Sequence, residues 1–80
     1  MNDKIDYIKN NIKSLRVKKG LTQEDVAYLM GISRATYNDY ETNPNNVKID
    51  TYNKMANIFD CKLVDFFILP NVTNSDSEII

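Results

Sequence analysis

Residues 31–33, Gly-Ile-Ser, restrict the possible folds of this chain more than any other stretch. They put a helix stop and a helix start one residue apart. Upstream, Thr22 is a good N-cap, Asp25 can close a capping box with it, and Leu21 and Val26 occupy the staple positions around that cap. The segment carries Val26, Ala27, Leu29 and Met30, then meets Gly31, a residue able to take the left-handed conformation that ends helices. Downstream, Ser33 is a second cap, flanked by its own staple residues Ile32 and Tyr37. Two short helices joined this tightly must cross steeply, which is the geometry of a helix-turn-helix.

The rest of the chain supplies helices to surround that unit. Ile5, Ile8, Ile12 and Leu15 recur at helical steps and predict an amphipathic first helix running to about Lys18, with Gly20 as its stop. Lys18 and Lys19 stand where cations favour a helix C-terminus. Residues 42–46, TNPNN, are loop chemistry, and Pro44 disfavours helical geometry at Asn43. Asp50 is read as the cap of a fourth helix whose stripe is Tyr52, Met55, Ala56 and Phe59. Residues 63–69 are apolar except for Asp65 and are closed by Pro70, which gives a short fifth helix. With no strand alternation and no repeat, the expected fold is all-α: a compact five-helix domain over residues 1–69 and a polar tail over 70–80.

Composition narrows the function. There is one cysteine, Cys61, and no histidine, so neither an internal disulfide nor a mixed Cys/His metal site is available. Cys61 is expected to be a buried, inert thiol. No apolar run approaches the ~20 residues that span a bilayer, and the N-terminal stretch lacks the apolar core of a signal peptide. The expected location is the cytoplasm. The sequence offers no nucleophile–base pairing, glycine-rich phosphate loop or metal cluster, so neither enzyme activity nor a cofactor is expected. Charge is placed unevenly: residues 1–48 hold eight basic and six acidic side chains, whereas residues 49–80 hold two and five. Any anion-binding face therefore belongs to the first half.

Helical geometry divides the third helix, about 33–41, into two sides. Thr36, Tyr37 and Tyr40 fall on one side and are expected to pack, while Arg34, Ala35, Asn38 and Asp39 fall on the other. That outward stripe has polar reach at its rim and little bulk at its centre, which suits entry into a groove. Its chemistry matches base edges: arginine to guanine, asparagine to adenine, aspartate to cytosine N4 and an alanine methyl to thymine. Ser33 and the free N–H groups at the helix start suit a phosphate oxygen.

The stretch from about Ile12 to Phe67 resembles the phage repressor and Cro helix-turn-helix family, the lambda-repressor-like or XRE type. The residues that carry the likeness are Arg16, then Gly20-Leu21-Thr22-Gln23, Ala27, Gly31, Ser33 and Tyr40-Glu41, with "YNKMANIFDCKLVDFF" following. The resemblance implies a sequence-specific regulator of transcription, a repressor, with double-stranded DNA as its partner and the third helix in the major groove of a palindromic operator. Residue by residue, Gln23 looks like the glutamine that binds phosphate and braces a base-reading side chain, and Arg34 and Ala35 match base-contacting positions. Asn38 and Asp39 share their face. Arg16 and Glu41 match a pair that ties the first helix to the end of the third. Thr36 is read chiefly as structural, with a phosphate contact as its second role. Asn46 and Lys48 are the candidates for backbone contacts in the loop, which lacks the family's frequent glycine, and Lys13, Lys18 and Lys19 could add to them. The chain also departs in placing Lys62 where a serine or threonine usually caps the fifth helix.

The run Phe66-Phe67-Ile68-Leu69 is too apolar to face water in full. Part must cover the core and the remainder is the candidate dimer patch, consistent with the family's habit of pairing two recognition helices one DNA turn apart. The alternative keeps the fold but makes it a protein-interaction module, an antitoxin or anti-repressor that docks a partner through this apolar C-terminus.

Overall fold

In a computed structural model, residues 3–69 are described, with side-chain surroundings from Tyr7 onward. The polar tail expected over 70–80 and the inward face assigned to Ile5 lie outside the described residues. Four α-helices, α1 (Asp3–Lys18), α2 (Gln23–Met30), α3 (Arg34–Thr42) and α4 (Ile49–Phe59), are joined by short turns. Two 3-10 segments, Pro44–Asn46 and Leu63–Phe67, complete the described chain. No strand is present among the described residues.

Local signals set the boundaries of α2 and α3. Thr22 Oγ1 accepts from the Asp25 N–H at 3.0 Å and Asp25 Oδ2 accepts from the Thr22 N–H at 2.9 Å, so aspartate completes the box despite its short reach. Gly31 sits at φ 71°, and the N–H of Ile32 bonds back to the Ala27 carbonyl at 3.0 Å, closing the end of α2. Two residues further on, Ser33 Oγ accepts from the Thr36 N–H at 3.0 Å and starts α3.

The core takes one face from each helix: Ile12, Val26 and Ala27, Tyr37, and then Tyr52, Met55, Ala56 and Phe59. Phe66 closes it from the C-terminal 3-10 segment, with ring centroids 5.4 Å from Tyr52 and 6.0 Å from Phe59. Burial of these aromatic and aliphatic side chains is the favourable term that holds the helices together.

Several expectations are corrected. Of the apolar residues that α2 carries, Leu29 is 56% exposed. At about 100° per residue, Val26, Ala27 and Met30 share one side of the helix and Leu29 falls well outside it. The fourth helix begins at Ile49 with Lys48 at the cap position, and Asp50 lies inside the first turn, where a carboxylate still favours the helix dipole. The expected fifth α-helix is the five-residue 3-10 segment Leu63–Phe67, which leaves four α-helices among the described residues. Lys62 cannot cap with its side chain, and the Asp65 carboxylate instead accepts its N–H at 2.9 Å. The TNPNN loop is partly ordered as the 3-10 turn Pro44–Asn46, whose buried Pro44 offers its carbonyl to the Tyr52 hydroxyl at 2.8 Å. Cys61 is half-buried rather than buried. Burial, with Asp65 and Asp60 nearby, pushes its thiol above the ordinary range and away from the reactive thiolate.

The last described segment is held by a bond that the sequence did not announce. The Asn11 amide donates from Nδ2 to the carbonyls of both Phe66 and Ile68, each at 2.9 Å. No helix among the described residues is long and apolar enough to cross a membrane.

Candidate nucleic-acid interface

Helix α3 is fastened from behind by a buried polar cluster. Arg16 Nε donates to Glu41 Oε2 at 2.6 Å, and its Nη1 donates to the Leu21 carbonyl at 2.8 Å. Tyr37 Oη donates to the same Glu41 oxygen at 2.6 Å. Gln23 Nε2 donates to the other carboxylate oxygen, Oε1, at 3.1 Å. Arg16 and Glu41 keep only 7% and 6% of their exposure, so the pair assigned to helix tethering is an interior ion pair rather than a surface one.

Each charge in this cluster depends on its neighbours. Burial alone would raise the Glu41 carboxyl, but the hydrogen bonds from Arg16, Tyr37 and Gln23 outweigh it and hold the group below the usual glutamate range. Burial opposes the Arg16 charge too, and the Glu41 carboxylate outweighs it, keeping the guanidinium charged. Burial and the adjacent Glu41 carboxylate push the Tyr37 phenol well above its ordinary value, so it remains a proton donor. Among the described residues no buried side-chain nitrogen or oxygen lacks a partner.

The front of α3 is open. Arg34, Ala35, Asn38 and Asp39 are all exposed, as their positions on the helix required. Tyr37 is fully buried and Tyr40 half-buried on the opposite side. Thr36, expected to pack with the tyrosines, is exposed instead, where its Oγ1 accepts a hydrogen bond from the Ser33 hydroxyl at 2.9 Å. It thus steadies the cap rather than the core. Ser33 itself is occupied as that cap, in contact with both the Thr36 N–H and the Thr36 hydroxyl.

Two of the outward residues have partners. Asn38 Oδ1 accepts from Gln23 Nε2 at 3.0 Å, so Gln23 reaches across to the exposed face of α3. Asp39 Oδ1 accepts from Asn43 Nδ2 at 2.7 Å, a contact that sequence reasoning missed although the two residues stand one helical turn apart. Asn46 and Lys48 are exposed, in the 3-10 turn and at the start of α4. A cleft between α1 and α3 is lined by Lys9, Lys13, Gln23, Arg34, Asn38 and Thr42, which brings cations from α1 beside the exposed face of α3. Lys9 was not among the expected contributors. Phe66 was assigned to the dimer patch but has no exposed surface; of that patch, Ile68 and Leu69 are exposed, each at 48%, and Phe67 is half-buried.

An all-helical domain with a capped helix pair, the second helix fixed from behind and polar in front, has the architecture of a DNA-reading module. The helix-turn-helix family profile matches residues 12–66, more than two thirds of the chain. The chain therefore belongs to the helix-turn-helix family of DNA-binding transcriptional regulators, XRE type. It is 30% identical over 70 residues to the cryptic phage CTXphi transcriptional repressor RstR of Vibrio cholerae, covering 88% of this chain and 62% of that protein. An uncharacterized HTH-type transcriptional regulator of Methanocaldococcus jannaschii is 36% identical over 61 residues, covering 76% of this chain and 92% of its own. The antitoxin HipB of Escherichia coli K12 is 37% identical over 46 residues, which are 58% of this chain and 52% of HipB. The chain thus spans less than two thirds of the phage repressor and about half of the antitoxin. No solved structure matches it significantly.

Proposed function

We propose that this chain is a sequence-specific repressor that binds double-stranded DNA as a homodimer, placing α3 in the major groove of a palindromic operator. The observation that carries the reading is the two-sidedness of α3. The Arg16–Glu41–Tyr37 cluster fixes its inner side, while Arg34, Ala35, Asn38 and Asp39 stand exposed on its outer side. Arg34 has the reach and the fork for guanine, and the lysines beside the cleft supply attraction to the phosphates. Two copies related by a two-fold axis would present two such helices to half-sites one turn of DNA apart. The likeness to a phage repressor supports repression as the outcome. The exposed Ile68 and Leu69 are the apolar surface most suited to pairing the copies.

Selection of bound duplexes from a random pool, followed by titration of Arg34→Ala against the selected sequence, tests this reading. An enriched inverted repeat that Arg34→Ala no longer prefers, with melting unchanged, supports it. A pool from which nothing is enriched overturns it.

The likeness to HipB favours a second reading, in which the same domain also docks a protein partner. Salt separates the two modes. Binding to DNA weakens steeply as counterions compete, whereas an apolar interface formed by Ile68 and Leu69 hardly responds.

A further inference from the structure

We propose that the hollow between α1 and the C-terminal 3-10 segment is a socket through which two copies pair, each receiving the other's Leu69 side chain. The inference deepens the homodimer reading proposed above and rests on it.

The hollow measures about 310 Å³ and is lined by Asn11, Ser14, Leu15, Lys18, Asp65 and Ile68. Its four α1 residues recur at helical steps and form one stripe. At about 100° per residue, Lys9 and Lys13 fall well away from that stripe. The socket and the cleft beside Arg34 therefore lie on different flanks of α1. A protein docked in the socket leaves the outer side of α3 uncovered. The Asn11 amide, bonded to the Phe66 and Ile68 carbonyls, holds the C-terminal segment against α1 and so fixes one wall of the socket in advance.

Two features single out a second copy as the occupant. The apolar group to be received stands at the edge of the socket itself: Ile68 lines it, Leu69 follows, and both are exposed. A two-fold contact there sets the Leu69 of each copy against Leu15 and Ile68 of the other. The charges are also complementary to themselves. Lys18 and Asp65 line the same hollow, and no ion pair joins them within the chain. Asp65 uses one carboxylate oxygen on the Lys62 N–H and keeps the second. Across a two-fold axis the Lys18 of each copy meets the Asp65 of the other, which forms two opposite-charge pairs from one surface.

Sedimentation equilibrium tests this. Leu69→Ala should raise the dimer dissociation constant at least about tenfold, because two apolar side chains leave the contact. Ser14→Trp fills the socket from an exposed position. It should leave the chain monomeric at concentrations where wild type is dimeric, with the helical signal unchanged. Lys18→Glu and Asp65→Lys each set like charges together in a homodimer. Mixed with one another they regain both opposite-charge pairs, and the heterodimer should form in preference to either homodimer. Asp65→Lys also loses the bond to Lys62, so Ser14→Trp decides the matter if that protein fails to fold. A Ser14→Trp protein that dimerises like wild type overturns the inference even where Leu69→Ala is weakened, since the patch would then pair without the socket. A mixture with no preference for the heterodimer overturns it as well. If wild type stays monomeric, on DNA as well as free, the homodimer reading itself falls and this inference with it.

Discussion

The Arg16 guanidinium and the Glu41 carboxylate meet at 2.6 Å with both side chains more than nine-tenths buried. Two charges taken out of water in this way are tolerable only because no buried nitrogen or oxygen on them lacks a partner: the Leu21 carbonyl adds to Glu41 on Arg16, and Tyr37 and Gln23 add to Arg16 on Glu41. Removing one partner leaves the other charge buried and unpaired. Glu41→Gln is therefore expected to cost about 3 kcal/mol or more, read from urea unfolding. A loss under about 1 kcal/mol is the value for an exposed pair and would contradict an interior role.

The same cluster predicts how stability follows pH. Glu41 is held below its ordinary value of 4.5, so its contribution is complete above that pH and is lost as pH falls through the lower folded value. Asp25, drawn down by its bonds with Thr22, adds to the same acid limb. Tyr37 behaves oppositely: its folded value is raised, so its contribution is complete below the ordinary 10.0 and declines as pH climbs beyond it. Tyr52, raised by burial, acts in the same direction. Melting temperatures measured across pH should form a plateau that falls away on both sides, and Glu41→Gln should shrink the acid limb without abolishing it. An acid limb unaltered by that substitution would assign acid sensitivity elsewhere.

Where a signal was local, the sequence carried it. The caps at Thr22 and Ser33 are contacts across three residues, and Gly31 needs only its own backbone, so the tight helix pair could be read from the stretch between Thr22 and Thr36. The stripe of α4 was legible because an 11-residue helix repeats its period. The eight residues of α2 do not repeat it enough to separate the exposed Leu29 from the buried Val26 and Ala27. Residues 63–67 are too few for apolarity alone to separate an α-helix from a 3-10 turn. The Asn11 clamp was invisible for another reason: its partners are backbone carbonyls 55 and 57 residues away, and a carbonyl has no letter. In the candidate site, positions on the helix face were legible, whereas the bonds that set Asn38 and Asp39 depend on side-chain directions across helices and turns.

That clamp is a test of what holds the C-terminal segment. Asn11 is half-buried and uses both hydrogens of its amide, one on Phe66 and one on Ile68. Asn11→Ala should cost about 1–3 kcal/mol, since it leaves a part-buried carbonyl without its donor. Asn11→Asp should cost at least as much, because a carboxylate can only repel those oxygens. Thermal melting of the two variants checks the order, and an aspartate that matches wild type would show that the bonds contribute nothing.

Asp39 poses the sharpest question about discrimination. A carboxylate on the outward face of α3 opposes the phosphates, and in water a unit charge about 6 Å from another is worth about 0.7 kcal/mol, roughly threefold in affinity. Asn43 donates to one of its oxygens at 2.7 Å, which fixes the group and leaves the second oxygen to accept from a base such as cytosine N4. Asp39→Ala should therefore bind unrelated DNA about threefold more tightly at low salt while losing preference at one base pair. Asn43→Ala keeps the charge, so it should weaken the same preference without the gain on unrelated DNA. Fluorescence anisotropy with the selected duplex and with a scrambled one separates these outcomes. A fall in both affinity and discrimination for Asp39→Ala would mean that the carboxylate supports the helix rather than reads the groove.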